Sequence, residues 1–156
     1  MKTLVVGLGN PILGDDGVGW RIAEEIQHSG SLPPGVDVVC LAVGGIGLME
    51  ALEGYEKAII IDAIVTHRDP IGTTSSFRLD QAADPSFSHL TSAHDTSLPN
   101  AIQVGSDLGI RLPDQITIVA IESQKVYDFS EELSTPVAAA IPEAVRLIME
   151  ILRENR

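Results

Sequence analysis

A chain of 156 residues, 44% hydrophobic and 21% charged, has the size and composition of one globular domain, and a single domain over 1–156 is expected. Its 22 acids against 10 bases leave a net charge of −12, with Lys and Arg scattered rather than gathered into a patch, which argues against nucleic acid as a partner. No window approaches the ~18 consecutive apolar residues of a membrane span, and no apolar core precedes a cleavage site at the N-terminus, so the expectation is a cytoplasmic protein without membrane insertion.

TLVVGL (3–8) has the apolar content of a buried strand. It runs into the loop GNPILGDD (9–16), after which Val18, Ile22 and Ile26 recur every four residues, the pattern of an amphipathic helix. GSLPPG (30–35) ends that helix. VDVVCLAV (36–43) is predicted as a second strand, GGIG as a turn, LMEALEGY as a short helix and KAIIIDAI (57–64) as a third strand buried on both faces. GTTSSFRL (72–79) suits an extended segment or hairpin arm, and residues 81–94 an irregular loop. A helix of about three turns is expected over 96–108, with Pro99 suited to its first turn. DQITIVAIE (114–122) is a further strand. Thr135 and Pro136 then offer an N-cap and a first-position proline to a final helix. Val137, Ile141, Val145, Ile148 and Leu152 would line its inner face, and Pro142 would kink it. Strands alternating with helices across short loops imply a three-layer α/β/α sandwich with a mostly parallel, twisted sheet.

In such sheets ligands bind beyond the carboxyl ends of the strands, where the strand order reverses. The first strand leads to Asp15 and Asp16, the third ends near Asp62, and the irregular loop carries His94 and Asp95. Asp16, Asp62 and His94 are thus expected to converge on one crevice. Two carboxylates and an imidazole suit a divalent transition ion such as nickel or zinc better than calcium. An acid in a glycine-rich turn also serves as a turn or cap former, and one of Asp15 and Asp16 is expected to do so. His89 ranks behind His94 as a ligand; His67, at a loop edge after the third strand, is weaker still. His28 near the end of the first helix suits the helix dipole. Cys40, the single cysteine, reads as a small buried hydrophobe rather than a nucleophile. There is no G-x-S-x-G elbow for serine hydrolysis, and the dinucleotide fingerprint fails at Ile12, where a third glycine would be needed.

GLGNPILGDDGVG, IIIDAI and SAHDTSL, with IVAIES and LSTPV following in order, resemble the hydrogenase maturation protease family, peptidase family M52, over nearly the whole chain. The resemblance implies a phosphorylase/hydrolase-like form of the three-layer fold. It implies an aspartic-type endopeptidase that removes the C-terminal extension of an immature [NiFe]-hydrogenase large subunit, and Asp16, Asp62 and His94 match the positions taken to contact nickel. That nickel is supplied by the substrate, so the resting enzyme need hold no metal. Asp15 is then left to shape the turn or cap the helix. Gly44 and Gly45 suit close approach of the substrate backbone, although Val43 stands where many relatives carry an acid before the two glycines. A non-catalytic nickel-binding assembly chaperone is the alternative. Peptidyl-tRNA hydrolase shares an opening like MKTLVVGLGNP, but its T-x-H-N stretch and basic surface are absent here.

Overall fold

The computed structural model describes residues 1–79 and 97–155. The two most apolar runs become the two central strands. β1 (Thr3–Leu8) is buried throughout, and β3 (Lys57–Ile64) is buried from its second residue on. Between them in the chain lie a 3-10 turn (Gly14–Gly17), α1 (Val18–His28), β2 (Val36–Leu41) and α2 (Gly45–Ala51). After β3 come β4 (Thr74–Arg78), α3 (Leu98–Asp107), β5 (Gln115–Glu122) and α4 (Thr135–Glu154). The sheet order is β2-β1-β3-β5-β4, parallel except for β4, which pairs antiparallel with β5 at one edge. The segment 72–79 is therefore an edge strand. β2, at the other edge, is only half-buried and stops at Leu41 rather than Val43.

Alternation along the strands divides the interior in two. Val5, Ile59, Ile61, Val119 and Ile121 face α1 and α4; Leu4, Val6, Leu8, Ile60 and Ile118 face the side covered by α2 and α3. In α1 the four-residue repeat holds, with Val18, Ile22 and Ile26 all fully buried. Each such side chain contributes roughly 1.5–3 kcal/mol, more than the helix propensity of an eleven-residue segment could supply. The helix also starts unusually close to the sheet. A Cβ on Gly19 would lie 2.4 Å from the Ile61 carbonyl oxygen and 2.7 Å from that of Leu8, so only glycine lets α1 begin against the ends of β1 and β3.

Two helix starts and the inner face of α4 differ from the sequence expectation. The GGIG turn is absorbed into α2, which starts at Gly45. The N-cap of α4 is Ser134, which places Thr135 in the first turn and Pro136 second. The buried face of α4 is Val137, Ala140, Ala144, Ile148, Met149 and Leu152, with Ile141 and Val145 half-buried at its flank. The two alanines let α4 approach the sheet where larger side chains would hold it off. Pro142 lies on the exposed side, inside a helix that continues unbroken to Glu154.

Candidate functional site

The strand order reverses between β1 and β3: the chain leaves β1 toward β2 on one side and leaves β3 toward β5 on the other. Their pairing ends at Gly7 and Ile61. Beyond that rung β1 peels away into its loop, and the next residue of β3 is Asp62. This is the crevice where open parallel sheets take ligands. Asp62 is two residues before the end of β3 rather than at its terminus, and pairs across to Ala120 of β5. Its side chain is 2% exposed and shares the face of Ile60 and Ile64.

Asp16 comes to the same end of the sheet by a different route. The Asn10–Gly17 segment folds back on itself, with Leu13 N–H donating to the Asn10 carbonyl and Asp16 N–H to that of Leu13. The Asp16 Oδ2 accepts from Asn10 N–H at 2.7 Å, which fixes the carboxylate over the loop that follows β1. It is 4% exposed. The close contact of Gly19 with Ile61 draws the turn bearing Asp16 against β3. Two buried carboxylates therefore stand at the switch point, a lining that suits a cation better than a phosphate. The third expected donor, His94, lies outside the described residues, as do His89 and Asp95. Among the described residues no three His, Cys, Asp or Glu side chains gather closely enough to hold a metal. Asp16 and Asp62 thus bring two buried carboxylates to this end of the sheet.

Asp15, fully buried beside Asp16, does different work. Its Oδ1 accepts from Ser134 N–H at 2.6 Å, and its Oδ2 accepts from Ser134 Oγ at 2.7 Å and from the Gln124 and Lys125 N–H groups. Its own N–H donates to the Lys125 carbonyl. The Asp15 carboxylate neither caps α1 nor bonds within its own turn, where that of Asp16 accepts from Asn10 N–H instead; it holds the β5–α4 loop. Gly14 makes this possible: at φ +55° its Cβ would lie 2.4 Å from the Lys125 carbonyl oxygen.

Glu122 was not singled out by its sequence, although it ends ITIVAIE much as Asp62 nearly ends KAIIID. It is 1% exposed, pairs in register with Ile64, and accepts from Thr66 N–H at 2.8 Å and from Thr66 Oγ1. It closes the loop leaving β3. Gly44 and Gly45 sit at the start of α2, on the loop leaving the same end of β2, with Val43 exposed beside them. His28 ends α1, its Nδ1 donating to the Glu24 carbonyl, and His67 is exposed in the left-handed region at φ +58°.

Cys40 is half-buried on β2, its Sγ 3.9 Å from the Trp20 carbonyl. Burial first, and the Glu24 carboxylate second, push its thiol above the ordinary range. A raised pKa leaves less thiolate at any given pH. Alkylation by iodoacetamide is therefore expected to run slower than for a free thiol near neutral pH and to accelerate only in alkali. Fast labelling near neutrality would contradict the inert role.

The model of the hydrogenase maturation protease family matches residues 20–151. The chain is 28% identical to the hydrogenase 2 maturation protease of Escherichia coli (strain K12), over 99% of this chain and 93% of that one. Its fold matches that of the hydrogenase maturating endopeptidase HybD from E. coli with a TM-score of 0.84 at 28% identity, covering 99% and 94% of the two chains. The hydrogenase 2 maturation peptidase from Thaumarchaeota archaeon SCGC_AB-539-E09 matches at a TM-score of 0.70 and 31% identity, covering 97% and 98%. Most of the chain is matched by the family model, nearly all of it by these relatives, and the α/β sheet is shared with solved endopeptidases. The chain belongs to the hydrogenase maturation protease family and is a peptidase of that kind.

Proposed function

We propose that this chain is the endopeptidase that removes the C-terminal extension of a nickel-loaded [NiFe]-hydrogenase large-subunit precursor in the cytoplasm. The observation that carries the proposal is the pair of buried carboxylates, Asp16 and Asp62, at the β1–β3 switch point. Nickel enters as part of the substrate. Asp16 and Asp62 offer it oxygens, and His94 adds a nitrogen, a donor set suited to that ion. On this reading the ion is met only when a correctly metallated precursor presents it. Cleavage then requires a water oxygen to add to the scissile carbonyl while the departing amine takes up a proton. Asp16 is the carboxylate assigned to accept the proton of that water, which is the aspartic-type role. The start of α2 at Gly44 and Gly45 offers backbone to the substrate strand.

The test is to incubate the purified chain with the precursor in nickel-loaded and nickel-free forms and to weigh the products by mass spectrometry. Loss of the extension from the loaded form alone is expected, and His94→Ala is expected to abolish it. A loaded precursor that binds but keeps its C-terminus would reject the protease assignment in favour of a nickel-binding chaperone.

A further inference from the structure

Two aromatic side chains stand in solvent at the same end of the sheet as the acidic pair. Tyr127 is 79% and Phe129 86% exposed, and Ile12, in the loop that carries Asp16, is 48% exposed. The chain segments that carry them are bonded to each other. Ser130 N–H donates to the Ile12 carbonyl at 2.9 Å, and Gly14 N–H donates to the Ser130 carbonyl at 2.8 Å, so 12–14 and 129–130 run side by side.

Loose chain does not account for their exposure. Asp15 holds Gln124, Lys125 and Ser134, Arg21 donates to the Glu131 carbonyl at 2.9 Å, and Val126 is buried in the core between exposed neighbours. The backbone is fastened on both sides of the aromatic pair, while Tyr127 and Phe129 point outward. Exposed aromatics on a backbone held at both ends, with a further exposed aliphatic residue on the strand bonded beside them, mark an interaction surface. Around them Asp128, Glu131 and Glu132 are exposed, three acids against two bases, Lys125 and Arg21.

We propose that Ile12, Tyr127 and Phe129, rimmed by Asp128, Glu131 and Glu132, form the surface on which the hydrogenase large-subunit precursor docks, through a segment carrying apolar and basic side chains. This rests on the protease reading above. Charge selects the occupant: an acidic rim on a chain of net charge −12 repels a second copy of itself and attracts a basic segment. Position supports the same choice. The rim is bonded directly to the loop bearing Asp16, so a precursor that presents its peptide to Asp16 and Asp62 passes over it.

The test compares the wild type with a Tyr127→Ser/Phe129→Ser double variant and a Glu131→Lys/Glu132→Lys variant. Leu108→Ser serves as control, because Leu108 is 72% exposed at the C-cap of α3 and outside the rim. Affinity for immobilised, nickel-loaded precursor and the KM and kcat of its cleavage are measured. Both rim variants should bind about tenfold or more weakly, with KM raised and kcat little changed, while Leu108→Ser matches the wild type. Unchanged affinity in the double variant, with cleavage by the wild type intact, would overturn the docking surface alone. A wild type that binds without cleaving would overturn the protease reading alone, and the ratio of affinities would still decide the surface. A wild type that neither binds nor cleaves would overturn both. A sedimenting dimer that the double variant abolishes while precursor binding persists would overturn the docking surface alone.

Discussion

Asp62→Asn is expected to stop precursor processing, by at least about a hundredfold, while leaving the fold intact. The substitution keeps the side chain's volume and removes its charge, and the site is one where charge is costly. Asp62 is 2% exposed on a strand face shared with Ile60 and Ile64. Taking a carboxylate out of water carries a penalty of several kcal/mol, which the amide of the same volume avoids. A catalytic carboxylate and a structural one therefore separate by measurement. Processing should vanish while the melting temperature stays within about 3 °C, equivalent to roughly 1 kcal/mol for a chain of this length. A variant that unfolds early but still cleaves would make Asp62 a structural acid. Asp16→Asn should behave alike, since an amide oxygen can still accept from Asn10 N–H in place of Oδ2. Together the pair tests whether the switch point is where this peptidase works.

The central strands were legible because burial on both faces leaves an uninterrupted apolar run, and TLVVGL and KAIIIDAI became β1 and β3 with the expected bounds. Edges were less so. GTTSSFRL mixes polar and apolar residues because one side of an edge strand meets solvent, and its antiparallel pairing with β5 leaves no local mark. Helix starts were displaced by a residue or a turn: Ser134 rather than Thr135 precedes α4, and α2 begins within the expected GGIG turn. For the candidate site, the strand-end rule anticipated that Asp16 and Asp62 lie at the same end of the sheet, because it depends only on which loops leave which strands. It could not show what Asp15 does: the partners of its carboxylate lie 109 to 119 residues away in the chain. Nor does any periodicity distinguish Tyr127 and Phe129, whose exposure follows from the fastening of their loop.

Asp15→Ala is expected to destabilise the protein by about 3–5 kcal/mol, the largest loss predicted for any single side chain here. Four donors converge on this fully buried carboxylate: the N–H groups of Gln124, Lys125 and Ser134, and the Ser134 hydroxyl. Alanine leaves all four without their acceptor, and the N-cap of α4 loses its anchor. By the usual scaling this lowers the melting temperature by roughly 10 °C. Ser134→Ala removes only the hydroxyl bond and should cost about 1 kcal/mol. Asp15→Asn should fall between them, because an amide keeps one accepting oxygen but turns an NH2 group toward N–H donors. Urea unfolding of the three variants checks the order, and amide exchange at Lys125 and Ser134 checks the cause. A loss below about 1 kcal/mol in Asp15→Ala would show that the β5–α4 loop is held by its other bonds, from Gly14 and Arg21. The two adjacent acids are thus distinguished by readout: Asp15 through stability and the placement of Tyr127 and Phe129, Asp16 through the rate of cleavage. Precursor affinity links them, since weakening the Asp15 clasp in Ser134→Ala should lower affinity before it lowers kcat.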